Sequence, residues 1–282
     1  MGRLVGASRG LAVAYAVLAA VLWGTLGVVY RWGEALGASG EWMAAGRPLV
    51  PALVAVGLWL SGRGGPSRWS LAVGVILGVF VPVYLWAVRA AGAAVASILL
   101  YTAPVWVALA SGLAGDRAGV GGLALAGLGS VGAALVAAGE GLGGPGGVGA
   151  LLGLLSGLLY AAYILAARAA ARRGASPVEV GVHSQPVAAV VALALLKPGR
   201  PPGVLDAALM LYTGVATMLV PYTLNAMALR AMEAHRVATI SLVEPLTATI
   251  LAWMLLGESL SPAQILGAAL VLASAALAAR AG

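Results

Sequence analysis

Long apolar runs alternate with short polar links along the whole chain. A helix needs about 20 apolar residues to cross the hydrocarbon core of a bilayer. Ten segments meet this length, and we predict that each is a membrane-spanning helix, numbered here as span 1 to span 10. Their predicted limits are 10–30, 42–60, 70–88, 91–113, 119–138, 148–167, 177–196, 205–229, 236–256 and 261–279. The pattern predicts an all-α polytopic membrane protein whose first apolar run is a retained span, not a signal peptide.

The composition agrees with lipid as the main solvent. Of the 282 residues, 62% are hydrophobic and 9% are charged, whereas soluble domains carry about 25% charged residues. The chain has 41 Gly residues and one Phe, and small residues allow helices to pack closely in a membrane. The absence of cysteine excludes disulfides, thiolate metal sites and cysteine nucleophiles.

The basic residues predict an orientation. The net charge is +7, and the basic residues lie mostly at the ends of apolar runs, which favours contact with anionic lipid headgroups over nucleic acid. With the N-terminus inside, the inside segments hold eleven Arg residues, the outside links hold four basic residues, and Arg47 lies within a span. We therefore expect a protein of the cytoplasmic membrane with both termini cytoplasmic.

Two halves of the chain resemble each other weakly. Six prolines and two acidic residues align in pairs, and the number of residues between the two members of a pair changes only slowly along the chain. The pairs are Pro48 with Pro186, Pro82 with Pro221, Pro104 with Pro245, and Asp116 with Glu258. We predict two domains, a first repeat over 1–144 and a second over 145–282, joined by a Gly-rich link at 139–147.

An odd number of spans in each repeat has a topological consequence. Two five-helix repeats in one chain must lie in opposite orientations in the membrane. Inverted repeats are typical of secondary transporters, which bind their solute near the midplane where the repeats meet.

Several motifs resemble the drug/metabolite transporter superfamily, of the EamA type, over nearly the whole chain. They are L-W-G-T at 22–25, the central Arg47 of span 2, A-P at 103–104 followed by LAGDR at 113–117, and E-P at 244–245 followed by a Gly257-Glu258 helix end. In the first repeat Gly115-Asp116 replaces the usual Gly-Glu. The resemblance implies a permease that exports amino acids, metabolites or toxic compounds.

Two charged residues are expected deep within spans. Arg47 is costly in a bilayer unless it faces the bundle interior, where it holds an anionic solute group or pairs with Glu41 or with helix carbonyls. Glu244 precedes Pro245 and is either a proton-coupling or amine-binding carboxylate, or a group that is neutral or paired with Arg47 or Arg236. His183 is either a packing residue or a proton relay.

Polar and aromatic residues suggest where a solute binds. Spans 1–4 and 6–9 carry them, so we expect these spans to surround a central cavity, with spans 5 and 10 outside as scaffold or dimer contacts. The aromatic candidates are either pocket residues or interfacial anchors. The substrate-binding candidates are Trp23, Arg47, Tyr84, Tyr101, Tyr160, His183, Gln185, Tyr222, Asn225 and Glu244.

Prolines within spans kink helices and free backbone carbonyls. They are either fixed bends that shape the bundle or hinges that move during transport. The candidates are Pro48, Pro82, Pro104, Pro186, Pro221 and Pro245.

Motifs for enzymatic chemistry are missing from the sequence. There is no phosphate-binding G-x-x-x-x-G-K-[ST], no G-x-S-x-G and no H-E-x-x-H. We expect no catalytic residue, metal or cofactor. The predicted function is a secondary transporter or facilitator for a small polar or amphipathic solute, acting as a monomer or homodimer. The alternatives are a membrane-embedded lipid-modifying enzyme and a passive channel.

Overall fold

In the computed structural model, which describes residues 2–138, 147–257 and 260–280, all regular structure is helical. Nine helical stretches in these ranges are long and apolar enough to cross a membrane, and a shorter apolar stretch supplies span 4. Glu258 and most of the predicted Gly-rich link lie outside the described residues. The spans are Arg9–Ala35, Gly40–Leu60, Arg68–Ala91, Ala93–Leu109, Gly119–Ala138, Gly147–Arg172, Pro177–Leu196, Val204–Ala231, Ala234–Leu255 and Pro262–Arg280. The prediction of ten spans is confirmed.

Spans 3, 5, 6 and 10 are continuous α-helices. Span 3 begins with a capping box, in which the Ser67 hydroxyl accepts from the Ser70 backbone N–H and the Ser70 hydroxyl accepts from the Ser67 backbone N–H. These four spans are the uninterrupted α-helices of the bundle, and span 3 keeps its helix through Pro82.

The other six spans are interrupted, which the sequence pattern did not predict. Each consists of two or three segments separated by a turn or by a change of helix type. The α-helical segments are Gly2–Gly24 and Leu26–Ala35, Gly40–Gly46 and Leu49–Leu60, Ala93–Leu100 and Ala103–Leu109, Pro177–Gly181 and Gln185–Leu196, Val204–Gly214 and Val220–Ala231, and Ala234–Ser241 and Val243–Leu256. A 3₁₀ turn, Ser111–Ala114, follows in span 4, and a π-helical stretch, Val215–Leu219, links the halves of span 8.

The prolines explain most of these interruptions. Pro82 lies inside a continuous α-helix, and Pro221 lies inside a run that is helical throughout, directly after the π-helical stretch. The other four occupy the cap or the first turn of a new segment, where the missing N–H costs little because first-turn donors have no partner within the helix. These four are Pro48, Pro104, Pro186 and Pro245.

The two halves pack on each other reciprocally. Span 1 packs on spans 8 and 9, while its counterpart, span 6, packs on spans 3 and 4. Spans 5 and 10 pack on each other, and a Cβ on Gly132 would lie 2.8 Å from the Gly267 carbonyl oxygen. Glycines likewise bring span 6 close to span 4, since a Cβ on Gly157 would lie 2.7 Å from the Leu99 carbonyl oxygen. This exchange of neighbours is the arrangement expected of inverted repeats.

The ten crossings place the start of span 1 and the end of span 10 on one side, which we call the terminal face; the other side is the far face. Spans 4 and 9 run in opposite directions and both end at a glycine with left-handed backbone, Gly115 (φ 79°) and Gly257 (φ 70°). Glycine adopts this conformation without the steric penalty of a Cβ. The corresponding spans of the two repeats therefore end in the same way.

Candidate functional site

A cavity of about 260 Å³ lies between spans 1, 2, 3, 4, 5 and 9. It occupies the half of the molecule towards the far face, because it is lined by the last turns of span 1 and span 3 and by the first turns of span 4. The residues that carry charge or an aromatic ring in its lining are Trp23, Tyr30, Arg31, Glu34, Arg47, Phe80, Tyr84, Tyr101 and Glu244.

A smaller cavity of about 60 Å³ shares part of this lining and reaches deeper. It adds Tyr160 of span 6, Tyr222 of span 8, and the break of span 4 at Pro104. Together the two cavities bring together seven of the ten residues predicted to bind a solute: Trp23, Arg47, Tyr84, Tyr101, Tyr160, Tyr222 and Glu244.

Arg47 is held at the break of span 2, directly before Pro48. Its Nη2 donates to the Thr217 carbonyl oxygen at 3.0 Å, while its Nε has no hydrogen-bond partner among the described residues. Glu41 pairs instead with Arg89 at 3.1 Å. Arg47 therefore contacts a helix carbonyl, as one interpretation of the sequence expected, and still lines both cavities.

Glu244 lies in the first turn of the second segment of span 9 and lines both cavities. Arg47 is the charged residue that acts on it electrostatically, although no ion pair joins the two side chains in the described structure. Arg236, the other partner considered, pairs with Glu233 at 2.6 Å. Arg47 of the first repeat and Glu244 of the second thus line one cavity, and Arg31 and Glu34 of span 1 add a second basic and a second acidic group to the lining.

Aromatic rings form a connected wall beneath these charges. The Trp23 ring lies edge-on to Tyr222, with 5.1 Å between centroids, and Phe80 stacks on Tyr160 at 5.7 Å. The Tyr84 hydroxyl hydrogen-bonds to Ser97 at 2.9 Å. Such packing from spans 1, 3, 6 and 8 makes the wall apolar on its faces, with hydroxyl groups at its edge.

Three of the predicted residues line neither cavity. His183 Nδ1 lies 3.2 Å from the Gly65 carbonyl oxygen, Gln185 Nε2 donates to Gly181 at 3.0 Å, and Asn225 Oδ1 accepts from Tyr163 at 3.2 Å. The physical reason is that span 7 packs on spans 2 and 3, while Asn225 of span 8 faces Tyr163 of span 6. Each of the three side chains keeps one buried polar atom without a hydrogen-bond partner among the described residues. Span 7 contributes nothing to either lining.

The expected role of span 5 is also corrected. We predicted that spans 5 and 10 stand outside the cavity, but Val136 and Ala137 of span 5 line it. These residues are small and apolar, so a search for polar groups could not have found them. Span 10 supplies no lining residue.

Sequence reasoning missed Tyr30, the last residue of predicted span 1, and Glu34, which lies beyond the predicted end at residue 30. The span continues to Ala35 beyond a break at Thr25. Trp23, Gly27, Tyr30 and Glu34 follow one another at helical spacing, and all four line the cavity. That spacing was the available signal, since residues three or four apart share a helix face.

A buried charge cluster closes the terminal face below the cavities. Asp116, which follows span 4, accepts from Arg168 Nη2 at 3.0 Å and from the Ala234 backbone N–H at 2.9 Å. Arg168 also donates to the Leu229 carbonyl oxygen at 2.6 Å. These contacts, which we call the Asp116 cluster, join the ends of spans 4, 6 and 8 to the start of span 9.

Nothing in the described structure resembles a metal site, since no group of three or more His, Cys, Asp or Glu side chains converges there. The polar groups of the cavity are suited to holding a solute by charge and hydrogen bonds.

Comparisons with known proteins identify related chains. The model of the EamA-like transporter family matches residues 10–138 and 147–280 as two successive copies. A protein of Archaeoglobus fulgidus described as an uncharacterized transporter is 30% identical over 268 residues, covering 93% of this chain and 94% of that one. A crystal structure, 22% identical, superposes with a TM-score of 0.78 over 95% of this chain and 96% of the other, which indicates a shared fold.

Proposed function

This chain belongs to the EamA-like transporter family, and we propose that it is a secondary transporter for small zwitterionic solutes with an apolar body, such as neutral amino acids. The observation that carries the proposal is that Arg47 and Glu244 line one cavity above an aromatic wall. A carboxylate and an amine on one solute would match these two groups, and the rings would contact its side chain.

The dimensions and the chemistry of the cavity support a small solute. Its volume of about 260 Å³ is near the lower end of the range of about 300–1,000 Å³ for small-molecule sites. A guanidinium has five donors in a planar fork, so Arg47 can donate to a carboxylate while it also donates to Thr217. Charged groups within a membrane bundle are by default candidates for a solute pathway.

The architecture supports alternating access as the mechanism. The cavity reaches towards the far face, the Asp116 cluster joins four spans at the terminal face, and the repeats exchange neighbours reciprocally. Rocking of one repeat against the other around the central site would expose the solute to each side in turn. We further propose that the protein lies in the cytoplasmic membrane with both termini cytoplasmic, and that it exports its solute.

Transport by the purified protein in proteoliposomes tests the proposal. We expect saturable counterflow of radiolabelled L-leucine or of another neutral amino acid in a panel. Arg47→Ala and Glu244→Gln should each abolish uptake while the proteins remain folded. Arg89→Ala and Glu41→Gln are matched controls, because these residues pair with each other outside the cavity, and both should transport normally.

Analogues lacking one charged group separate the two roles. The amine 3-methylbutylamine lacks the carboxylate of leucine, and 4-methylpentanoate lacks its amine. In equilibrium binding to the purified variants, Arg47→Ala should lose binding of the acid and keep binding of the amine, and Glu244→Gln should do the reverse. Unsaturable flux at channel rates, or normal uptake by both cavity variants, would contradict the proposal.

A further inference from the structure

The carbonyl group of Thr217 is an unusual backbone acceptor in the middle of span 8. In an α-helix it would accept from the N–H four residues later, but that residue is Pro221, which has none. The backbone around it, Val215–Leu219, is π-helical, and such stretches frequently mark functional sites. Thr217 therefore has no donor four residues later, which leaves a lone pair of its oxygen for donors from other spans.

Two side chains of the first repeat use this oxygen. Trp23 Nε1 donates to it at 3.2 Å and Arg47 Nη2 at 3.0 Å. Thr217 is fully buried, and Trp23 and Arg47 are 5% and 8% exposed. Spans 1, 2 and 8 therefore meet at a single carbonyl, directly beside the cavity.

The first repeat provides an internal comparison. There Pro82 corresponds to Pro221, so the carbonyl that loses its helical donor belongs to Gly78. The residues that correspond to Arg47 and Trp23 are Gln185 and Tyr160. Neither donates to Gly78, and Gln185 Nε2 instead donates to Gly181 within its own span. The proline recurs in both repeats, but only Pro221 leaves a carbonyl that an arginine uses.

We infer that Pro221 is a positioning residue for Arg47. By withholding an N–H it leaves the Thr217 carbonyl to bind one arm of the guanidinium, which keeps the other donors of Arg47 at the cavity. Pro221 itself lines neither cavity, so it acts through the side chains that bond to the Thr217 carbonyl, of which Arg47 is the charged one. The inference rests on the proposed function, in which Arg47 binds the carboxylate of the solute.

The physical reason lies in the scarcity of acceptors within a membrane. An arginine side chain there must be bound by carbonyls, water or an acid, and its orientation follows from the acceptors available. Replacing Pro221 by alanine would supply an N–H that bonds to the Thr217 carbonyl within the helix. Arg47 would then lose its fixed partner and its fixed direction.

Equilibrium binding of radiolabelled L-leucine to the purified protein tests this inference. We expect Pro221→Ala to raise the Kd about tenfold, as for the loss of one charge-assisted hydrogen bond. Binding of 3-methylbutylamine, which has no carboxylate, should be unchanged. In an Arg47→Ala background, Pro221→Ala should have no further effect, because the residue through which it acts is gone.

Pro82→Ala is the matched control, since it makes the same chemical change at the corresponding position of the first repeat. We expect its Kd for leucine to stay within about twofold of wild type, because no arginine depends on the Gly78 carbonyl. If Pro221→Ala and Pro82→Ala raised the Kd for leucine equally, the inference would be overturned, because the effect would then be one of helix bending in general. The inference would also be overturned if adding Pro221→Ala to the Arg47→Ala background raised the Kd for leucine as much as it does in the wild type.

A crystal structure of Pro221→Ala gives a readout that needs no solute. We expect the new backbone N–H at position 221 to bond to the Thr217 carbonyl and Arg47 Nη2 to have left it; an unmoved Arg47 would refute the inference. If Pro221→Ala does not fold, Pro221→Gly restores the same N–H and serves in both experiments. If the wild-type protein binds no solute of the panel, the proposed function fails, and the crystal structure of the variant still decides the role of Pro221.

Discussion

At the scale of single residues, the close approach of the backbones of spans 1 and 9 determines the positions of side chains in the cavity. A Cβ on Gly24 would lie 2.6 Å from the Thr247 Cβ and 2.8 Å from the Glu244 carbonyl oxygen. Glycine at this position lets span 1 touch span 9 where Glu244 enters the cavity. A Cβ on Gly27, one turn later in the same span, would have no atom of another residue within 4 Å beyond its own helix.

These two glycines predict opposite effects on stability. Gly24→Ala should lower the free energy of unfolding by about 1–3 kcal/mol, because the added methyl group overlaps span 9. Gly27→Ala should leave it unchanged or raise it by up to about 1 kcal/mol, since alanine favours the helix over glycine. Thermal unfolding of both variants in detergent measures the difference. Equal stability of the two would show that spans 1 and 9 do not touch at Gly24.

At the scale of elements, interruptions recur at matching places in the two repeats. Span 4 breaks after Leu100 and span 9 breaks after Ser241, and in each case a proline lies in the first turn of the next segment. Because the repeats are inverted, the two breaks are oriented oppositely and both border the deeper cavity. They are therefore well placed for bends that occur during transport.

We expect Pro104→Ala and Pro245→Ala to reduce the maximal transport rate several-fold while changing KM by no more than about twofold. Alanine restores a backbone donor and favours one continuous helix, which would stiffen the break. Pro262→Ala is the control, because Pro262 begins span 10 without an interruption. Leucine counterflow measures both the rate and KM. If both variants transport at the wild-type rate, the breaks are fixed bends.

At the scale of the whole molecule, charged contacts differ between the two faces. At the terminal face the Asp116 carboxylate is buried, and Arg168 and the Ala234 N–H donate to it. At the far face Asp206 is also buried, but its partner Arg200 is half-exposed and bonds to it at 2.6 Å. A buried charge that loses its partner costs about 3–5 kcal/mol, whereas an exposed pair contributes little.

The Asp116 cluster should therefore act as the contact that holds the terminal face closed. Ala238, which lines the deeper cavity and is buried, can carry a single cysteine because the chain has none. We expect Arg168→Gln to raise the rate at which a membrane-impermeant maleimide labels Ala238→Cys from the terminal face, by about tenfold or more. Arg200→Gln should leave that rate unchanged.

The same labelling in sealed vesicles of known orientation reports the topology. A cysteine added after Gly282 should be labelled only from the cytoplasmic side. Labelling of this cysteine from outside would reverse the proposed orientation. Should Arg168→Gln not fold, Asp116→Asn breaks the same cluster, and an unchanged labelling rate in both variants would remove its role in closure.

The sequence alone determined the features that depend on composition and on order along the chain. The ten spans follow from apolar length, because lipid requires a helix to satisfy its own backbone, and the inverted repeat follows from the odd number of spans. Arg47 and Glu244 stood out because a charge in an apolar run is costly wherever the run folds.

Only the tertiary structure decided which of the polar residues meet. His183, Gln185 and Asn225 looked as suitable as Tyr160 and Tyr222, but span 7 packs on spans 2 and 3, and Asn225 of span 8 bonds to Tyr163. The cavity also includes Tyr30 and Glu34, because span 1 is longer than predicted, and Val136, because span 5 packs beside the cavity. The binding of Arg47 to Thr217 was also beyond the sequence, since it joins atoms 170 residues apart. Apolar length is a local property of the chain, whereas the face that a helix turns to its neighbours depends on every helix packed around it.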